Sequence, residues 1–523
     1  MVDLKKPVYI FHLHTKHLFF FFILFYFILF FCSSSVPGLT DVGKLIAFCK
    51  FKLLTYDIAE MKVKTLSRSS DSYVPVKNTQ ESSLPRNLAP AMHPLERARE
   101  YTKALTATKM DRMFAQPFVG QLGNGHRDGI YSIAPNFRTT NQIATGSGDG
   151  VIKYWDMTLR DEMVSFKAHY GLISGLCVTP KKLYMLSCGT DKAIKLWAVD
   201  SSSFDPSETD TQIYTKKDNA LIKTFLGEHS FKGIDHHYTD DLFVTGGASI
   251  QLWDMNRNKY ISDLSWGAEN VNTVKFNKSE TNIIASAGGD NSIVLYDIRS
   301  NSPIQKVVTT MRTNALCWNP MEPFNFASAS EDQNAYLWDM RKLNRSLNVY
   351  KDHVSAVMDL DFSPTGQDLV TGSYDKTIRL FGARDGHLKE IYHTKRMQHI
   401  FSVKYSTDSR YILSGSDDAN VRLWRARATS RADIKSTRQR ANLEYNDALK
   451  ERFKHMPEIK RIARHRHIPK VVKKAREIKK IELDSLKRRE DNAKRHSRPE
   501  FNSYTPEREK HVRGTAIKDN KEK

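Results

Sequence analysis

Aspartate recurs at one fixed place in the middle of the chain, and regularly spaced carboxylates are candidates for acid–base chemistry. The recurring residues are Asp149, Asp191, Asp290, Asp332, Asp375 and Asp418. Each follows a short stretch rich in Gly and Ser and precedes a short run that ends in an aromatic residue. One residue type at one place in every unit is typical of a residue that locks a turn, so we interpret these aspartates as structural.

Other motifs for catalysis are missing from the sequence. It contains no phosphate-binding G-x-x-x-x-G-K-[ST] loop, no G-x-S-x-G nucleophile elbow and no H-E-x-x-H zinc motif. The histidines at 236–237 and 465–467 lack the carboxylate or cysteine spacing of a metal site. The five cysteines form no C-x-x-C pair, which indicates a reducing compartment. We therefore expect no enzyme, no metal, no cofactor and no small-molecule substrate.

An internal repeat organises the middle of the chain. Runs such as TGSGDGVIKYWD and SAGGDNSIVLYD each contain an aromatic anchor near their end, and these anchors are Trp155, Trp197, Trp253, Tyr296, Trp338, Phe381 and Trp424. Their successive spacings are 42, 56, 43, 42, 43 and 43 residues. Short β-branched runs between Gly, Asp and Ser turns predict strands, so each unit is expected to form a small sheet.

These units resemble the WD-repeat family, in which each repeat forms a four-stranded propeller blade. The resemblance implies an all-β fold, a seven-bladed WD-repeat β-propeller, followed here by a basic α-helical C-terminal extension. In that family a His, a Ser or Thr, a turn Asp and a Trp form a hydrogen-bonded tetrad. The resemblance assigns the tetrads to His126, Thr145, Asp149 and Trp155; to His169, Ser187, Asp191 and Trp197; and to His353, Thr371 and Asp375, with Phe381 in the Trp place.

Several units depart from this pattern. The third has His229 and Trp253 but no turn Asp, the fourth and fifth lack the His, and the seventh has no clear one. With fewer polar links, we expect these blades to be less rigid. The extra residues of the third unit lie in a polar stretch from Ser201, expected as a surface loop. Because an open strand edge invites aggregation, we expect residues 117–122 to close the seventh blade of a propeller spanning residues 115–425.

Positive charge is concentrated in the C-terminal part of the chain. From Arg425 onwards there are 31 Lys and Arg against 15 Asp and Glu, a net charge of +16 out of +21 for the whole chain. Apolar residues recur there at helical spacing, first as Tyr445, Leu449, Phe453 and Met456 and, after Pro457 and Pro469, as Val471, Val472, Ala475 and Ile478. This pattern predicts amphipathic helices with cationic polar faces, whose apolar faces pack on protein.

The basic faces of these helices predict a polyanionic partner, for which RNA or DNA is usual. The candidate RNA- and partner-binding residues are Lys460, Arg461, Arg464, Arg466, Lys470, Lys473, Lys474, Arg476, Lys479 and Lys480. The alternatives are a basic face used for protein packing and a nuclear import signal around residues 487–489. Aromatic residues are sparse in the tail, so recognition of bases is not indicated.

The tail and the segment before the repeats narrow the resemblance to one family. LKERFKHMPEIKRIARHRHIPKVVKKAREIKK at residues 449–480 and MKVKTLSR from Met61 look like the Sof-like WD-repeat proteins. The similarity covers residues 61–523, with 61–114 leading into the propeller and 426–523 as the tail. The family implies a nucleolar scaffold in small ribosomal subunit biogenesis, a component of the small-subunit processome. The implied partners are precursor ribosomal RNA, the U-three small nucleolar ribonucleoprotein and other processome proteins.

Two consecutive units carry an arginine two residues after a strand-end aspartate, at Arg299 in YDIR and Arg341 in WDMR. This resembles the double D-x-R box of propellers that dock on the adaptor of a cullin–RING ubiquitin ligase. Animal members of the Sof-like family also resemble such substrate receptors. Each guanidinium presents a fixed cationic fork to an acidic surface. The alternative is a local ion pair between each Arg and its own Asp, and the two roles are compatible.

The first 60 residues differ from the rest. Leu18–Cys32 is an unbroken run of 15 apolar residues, as in a signal-peptide core or a short membrane anchor. It is shorter than the ~20 residues that comfortably span a bilayer. Monotonous Phe, Leu, Ile and Tyr are also what T-rich DNA encodes without selection, and Met61 opens a polar stretch. We expect residues 1–60 to be an extension upstream of the natural start at Met61, with a targeting segment as the alternative, and we expect no membrane partner.

Overall fold

The structure is a computed structural model that describes residues 94–181, 184–198, 221–267, 270–430, 435–498 and 505–517. All of them belong to one contact unit, residues 78–523. Within these ranges no helix combines the length and the apolar character needed to cross a bilayer. The apolar run Leu18–Cys32, the segment 1–60 and the insertion that starts at Ser201 lie outside the described residues.

The described residues contain seven antiparallel sheets of four strands or more, each a blade of a closed ring. In the first six blades the four strands follow one another along the chain from the central axis to the rim. Blade 1 is β2 (Ile130–Pro135), β3 (Gln142–Ser147), β4 (Val151–Asp156) and β5 (Asp161–Lys167). Blade 2 is β6 (Ile173–Val178), β7 (Tyr184–Gly189), β8 (Ala193–Ala198) and β9 (Leu221–Leu226). Blade 3 is β10 (Gly233–His236), β11 (Leu242–Gly246), β12 (Ile250–Asp254) and β13 (Ser262–Leu264).

The remaining blades follow the same order, so the predicted seven-bladed propeller is confirmed. Blade 4 is β14 (Val271–Phe276), β15 (Ile283–Gly288), β16 (Ser292–Asp297) and β17 (Ser302–Thr309). Blade 5 is β18 (Thr313–Trp318), β19 (Asn325–Ser330), β20 (Ala335–Asp339) and β21 (Asn348–Tyr350). Blade 6 is β22 (Val357–Phe362), β23 (Asp368–Ser373), β24 (Ile378–Gly382) and β25 (Leu388–Tyr392), and the first three strands of blade 7 are β26 (Ile400–Tyr405), β27 (Tyr411–Ser416) and β28 (Val421–Arg425).

The fourth strand of blade 7 comes from the segment before blade 1. Strand β1 (Phe118–Gln121) pairs antiparallel with β28, with Phe118 opposite Trp424 and Gln121 opposite Arg422. The Arg425 N–H donates to the Pro117 carbonyl at 2.8 Å, which extends the pairing by one residue. The prediction that residues 117–122 close the ring is therefore confirmed, and the ring leaves no unpaired edge at this junction.

The apolar core lies between neighbouring blades rather than in one central cluster. At the junction of blades 7 and 1, for example, Leu122, Ile130, Trp155, Leu413 and Leu423 pack together and are all buried. The second strands are buried on both sides, and small residues such as Ala, Ser, Thr and Gly occupy much of them. Because each blade packs against two neighbours, the rigidity of one blade depends on the next.

Beyond the four regular strands of each blade, the described residues form four helices and one further strand. The helices are α1 (Glu96–Met113), α2 (Thr437–Arg452), α3 (Pro457–Arg464) and α4 (Lys470–His496), and the strand is β29 (Val512–Ile517). Pro457 begins α3, so the predicted interruption of the helical pattern falls between α2 and α3. Ala104, Leu449 and Ile459 form a small buried cluster that joins α1, α2 and α3. Met456, predicted on the same apolar face, is instead exposed.

Candidate interaction surfaces

The repeated aspartates lie in the turns between the second and third strands. The carboxylates of Asp149, Asp191, Asp290, Asp332 and Asp375 each accept the N–H two residues further on, at 2.9–3.3 Å. The residue after each aspartate has a positive φ of 63–79°, a conformation that costs energy for all residues except glycine. These contacts compensate part of that cost and fix the turn, as the sequence predicted for these residues.

In blades 2 and 6 this turn is tied to a buried histidine. In blade 6 His353 Nδ1 bonds Asp375 at 2.9 Å and His353 Nε2 bonds the Thr371 hydroxyl at 2.7 Å. Burial disfavours the charged carboxylate, but His353 and Arg379 outweigh it and hold the pKa of Asp375 well below its usual value. Blade 2 repeats the geometry, with His169 bonded to Asp191 at 2.9 Å and to Ser187 at 2.7 Å, and the Trp197 indole donating to Ser187 at 2.9 Å.

Blade 1 differs from the tetrad expected there. His126 Nε2 bonds the Thr145 hydroxyl at 2.7 Å, and the Trp155 indole N–H donates to the same oxygen at 2.8 Å. Asp149 makes no hydrogen bond to His126, however, and the buried His126 Nδ1 has no partner among the described residues. Burial, helped by the charge of Lys153, lowers the pKa of His126 to about 4. The arrangement in blade 1 is thus a triad, with Asp149 bonded to the turn alone.

The space beside the aromatic anchor is filled differently in blades 3 and 5. In blade 3 the buried Phe231 ring packs on Trp253 with centroids 6.4 Å apart, while His229 is exposed. In blade 5 the ring beside Trp338 is that of His511, from the C-terminal tail, at a centroid distance of 5.0 Å. The sequence pattern did not predict either contact. Phe231 is not at the histidine position of its repeat, and His511 lies outside the repeats.

Arg299 and Arg341 lie in the loops that follow the third strands of blades 4 and 5. Their side chains are 74% and 60% exposed, and each guanidinium makes two hydrogen bonds to its own aspartate, Asp297 or Asp339, at 3.0–3.4 Å. The Arg341 guanidinium also lies over the Phe324 ring, 4.3 Å from its centroid. The local ion pair and an exposed, oriented cation therefore coexist at both positions.

Three of the ten candidate basic residues of the tail fasten it to the propeller. Arg466 Nε donates to the Lys389 carbonyl at 2.8 Å and pairs with Glu390 at 3.1 Å, both on the outer strand of blade 6. Arg476 pairs with Asp352 at 2.9 Å, and Lys479 Nζ donates to the His353 carbonyl at 2.7 Å. Burial lowers the pKa of Arg466 and of Lys479. These three side chains hold the tail against the propeller.

The other seven candidates make no polar contact of this kind with the described propeller. They are exposed and have neither an ion pair nor a side-chain hydrogen bond among the described residues: Lys460, Arg461, Arg464, Lys470, Lys473, Lys474 and Lys480. They lie on two consecutive helices, α3 and α4, which the docked residues hold against blade 6. The result is a cationic surface, on fixed helices, that no carboxylate of the described chain neutralises.

The apolar face predicted for α4 is only partly packed on protein. Val472 is buried and Ala475 is partly buried, but Val471 is 79% exposed and Ile478 is 58% exposed. Within the described chain, the predicted packing of this apolar face on protein is therefore seen at Val472 and Ala475 but not at Val471 and Ile478. The polar contacts of α4 with the propeller run through Arg476 and Lys479.

Arg299 and Arg341 lie on the face of the ring opposite to Asp352 and His353, the residues that hold α4. Strands alternate in direction within each blade, so loops after the third strands open on one face and loops before the first strands open on the other. Arg299 and Arg341 belong to the first kind of loop, whereas Asp352 and His353, which hold α4, belong to the second. A partner bound at one face leaves the other accessible.

A cavity of about 380 Å³ runs along the axis and is lined by the first strands of all seven blades. Inside it Lys275 pairs with Asp235 at 3.0 Å and Lys404 pairs with Asp359 at 3.4 Å. Burial opposes the charge of Lys404, yet Asp359 and Asp361 raise its pKa. The sequence did not reveal this cavity, because its lining residues are far apart along the chain.

A ring of seven four-stranded blades, with a buried His, a hydroxyl and an aromatic anchor in several of them, defines the class of WD-repeat β-propellers. Residues 118–156, 160–198, 306–339, 344–382 and 388–425 match the family described as "WD domain, G-beta repeat". Residues 426–512 match the family described as "Sof1-like domain". Blade 3 and most of blade 4 thus lie outside the matched repeats.

Relatives extend this match to nearly the whole chain. "Protein SOF1" of Saccharomyces cerevisiae is 61% identical over 469 residues, which is 88% of this chain and 96% of that protein. "Protein sof1" of Schizosaccharomyces pombe is 52% identical, over 87% of this chain and 99% of the relative. "DDB1- and CUL4-associated factor 13" of Xenopus laevis is 43% identical, over 86% and 99%. The chain belongs to the Sof1-like family of WD-repeat proteins.

Proposed function

We propose that this protein is a non-enzymatic scaffold of small ribosomal subunit biogenesis that works in the nucleolus. In this role the tail binds the phosphate backbone of precursor ribosomal RNA, and the propeller binds other proteins of the small-subunit processome and the U-three small nucleolar ribonucleoprotein. The observation that supports the proposal most is the cationic surface of α3 and α4, defined by the seven exposed residues from Lys460 to Lys480.

The contacts that hold α3 and α4 on the propeller lower the entropy cost of RNA binding by this surface. A flexible basic tail loses conformational entropy when it binds RNA, whereas helices already fastened through Arg466, Arg476 and Lys479 lose less. Each phosphate that a free cation neutralises releases counterions, so binding should weaken steeply with salt. Contacts of this kind orient RNA without reading its bases.

Two triple variants of α4 test the RNA contact with equal charge loss on one helix. Lys470, Lys473 and Lys474 changed to Gln should lose ultraviolet crosslinks to precursor small-subunit RNA in heavy gradient fractions. For the purified chain, the slope of log affinity against log salt concentration should decrease in magnitude by about 2. The matched control changes Lys487, Arg488 and Arg489 to Gln and carries an added nuclear import signal, so that only RNA contact is compared. Equal crosslinking by both variants would refute the proposed surface.

A second proposed function is docking on the adaptor of a cullin–RING ubiquitin ligase. The geometry favours it, since Arg299 and Arg341 are exposed on one face and each is oriented by its own aspartate. The animal relatives carry the name "DDB1- and CUL4-associated factor 13", which describes association of those proteins with DDB1 and CUL4. For the present chain, the proposed partner is the adaptor of a cullin–RING ubiquitin ligase.

Adaptor binding is tested with Arg299 and Arg341 changed to Ala in one chain. The proposal expects at least a tenfold loss of affinity for purified adaptor, measured by surface plasmon resonance. Arg257→Ala is the matched control, because Arg257 follows the third strand of blade 3, is 70% exposed and pairs with Asp254 at 3.7 Å. An undiminished affinity in the double variant would leave the two arginines as local ion pairs only.

A further inference from the structure

The described chain ends in a strand that is paired with the outer edge of blade 4. Strand β29 lies antiparallel to β17, with Gln305 opposite Ile517 and Thr309 opposite Val512. Blade 4 thereby has five strands, while every other blade in the described chain has four. An outer strand such as β17 offers a row of backbone N–H and C=O groups to any extended segment of suitable reach.

His511 anchors this strand at the boundary of blades 4 and 5. Its ring stacks on Tyr336 with centroids 3.8 Å apart and meets Trp338 edge-on at 5.0 Å. Only 5% of the residue is exposed, and its carbonyl accepts the Thr310 N–H at 2.9 Å. In blades 1, 2 and 6 the tetrad histidine stands four residues before the first strand, and Thr309 holds that place in blade 5. The tail therefore supplies the ring that blade 5 lacks.

The recess between Tyr336 and Trp338 accommodates the flat imidazole ring of His511 but offers its nitrogens no hydrogen-bond partner. Both ring nitrogens of His511 are buried without a hydrogen-bond partner among the described residues. Burying polar atoms without partners is unfavourable, whereas ring stacking is favourable for any flat side chain. The contacts around the anchor are mostly backbone pairing and exposed side chains, such as Lys510 with Glu490 and Thr515 with Asn344, which add little.

We propose that the edge of β17 and the Tyr336–Trp338 recess form a docking site for an extended peptide with a flat ring just before its strand. Residues 506–517 are its resident occupant, and a segment that carries an uncharged aromatic ring in place of His511 displaces them. The site lies at blades 4 and 5, away from the cationic surface of α3 and α4 and independent of it. It makes β17 a surface at which the scaffold exchanges its own tail for a partner strand.

Hydrogen exchange on the full-length chain tests the resident occupant. The amides of residues 512–517 that bond β17, and those of residues 305–309 that point towards β29 rather than β16, should be protected in the wild type and should lose protection together in His511→Ala. Gly514→Ala is the matched control, because a Cβ at Gly514 meets nothing within 4 Å and the strand stays intact. An unprotected tail in the wild type, or unchanged protection in His511→Ala, would overturn the proposal. Thermal unfolding of each variant verifies that the propeller remains folded.

Displacement is tested with fluorescent peptides of residues 505–517 and the full-length His511→Ala chain. The peptide with His at its seventh position should bind this chain, and the peptide with Phe there should bind roughly tenfold more tightly, since it buries no unpartnered nitrogen. The peptide with Ala there should bind at least tenfold more weakly than the His peptide. The wild-type chain should take up the Phe peptide and resist the His peptide. Equal binding of the His, Phe and Ala peptides, or no binding of any of them, would refute the docking site.

Discussion

Blades 5 and 6 are neighbours with the same strand order, and they support their third strands by different means. In blade 6 the turn, the histidine and the hydroxyl form a buried polar network of His353, Asp375 and Thr371. In blade 5 the Trp338 indole N–H donates to Ser328 at 2.8 Å, and the neighbouring ring comes from His511. A blade can therefore be completed by charge and hydrogen bonds or by ring contact, and in blade 5 the contacting ring comes from outside the repeat.

The largest expected effect is that of Asp375→Ala in blade 6. The change leaves Arg379 buried without its counter-charge and His353 Nδ1 without its hydrogen-bond partner, so we expect a loss of about 3–5 kcal/mol in the free energy of unfolding, measured by urea titration of the full chain. Asp149→Ala in blade 1 is the matched change. It removes one turn hydrogen bond and should cost about 1 kcal/mol. Similar losses at both positions would contradict the distinction between the two networks.

Blade 3 tests how much ring contact contributes in a blade whose anchor has no buried histidine beside it. Phe231→Ala should cost about 3 kcal/mol in the free energy of unfolding, because a buried ring against Trp253 is replaced by a cavity. His229→Ala, at the histidine place of the same repeat, should change it by less than about 0.5 kcal/mol, since His229 is exposed. Differential scanning calorimetry of both variants measures the difference, and a larger effect for His229 would reverse our interpretation.

Acidification should destabilise the chain through two buried histidines, His126 and His511. Burial lowers the pKa of His126 and of His511 to about 4, from about 6.5 in the unfolded chain. The unfolded state then binds more protons between these values, so stability is fully present above pH 6.5 and is lost as the pH falls towards 4, by up to about 3 kcal/mol for each group. Urea titrations at pH 7 and pH 5 should show a smaller pH-dependent loss in His126→Gln than in the wild type. An identical loss would mean that burial does not lower the pKa of His126 in the folded chain.

The smallest effect is expected at the two exposed arginines. Arg299→Ala with Arg341→Ala should leave the midpoint of thermal unfolding almost unchanged, because exposed ion pairs contribute little to stability. Thermal unfolding measures this directly. A small effect makes any loss of adaptor binding attributable to the interface, whereas a large one would place these residues among the supports of blades 4 and 5.

The sequence predicted the features of the ring that depend on nearby residues. The seven anchors from Trp155 to Trp424 gave the number of blades, and the place of residues 117–122 before the first repeat gave the closing strand. The turn aspartates were identified by their period alone. These features are repeated, and repetition makes a short local signal visible above background.

The contacts of the tail were not predictable in the same way. Arg466 and Arg464 look alike in the sequence, yet one pairs with Glu390 on blade 6 and the other is exposed. His511 and the alternating run of β29 carried a faint strand signal, but the edge that receives them lies some 200 residues earlier in the chain. Pairings between distant segments depend on the folded ring, and no local periodicity reports them.

Ring closure by β1 also sets a condition on how the chain folds during synthesis. Strand β1 leaves the ribosome first, but its partner β28 follows about 300 residues later. At about 5–20 residues per second, β1 waits roughly 15–60 seconds for that partner. Throughout this interval the growing ring has two unpaired edges, which makes the nascent chain most prone to wrong pairing just before its last blade emerges. Strand β1, which closes the finished ring, is thus also the reason that closure waits until the last blade has been synthesised.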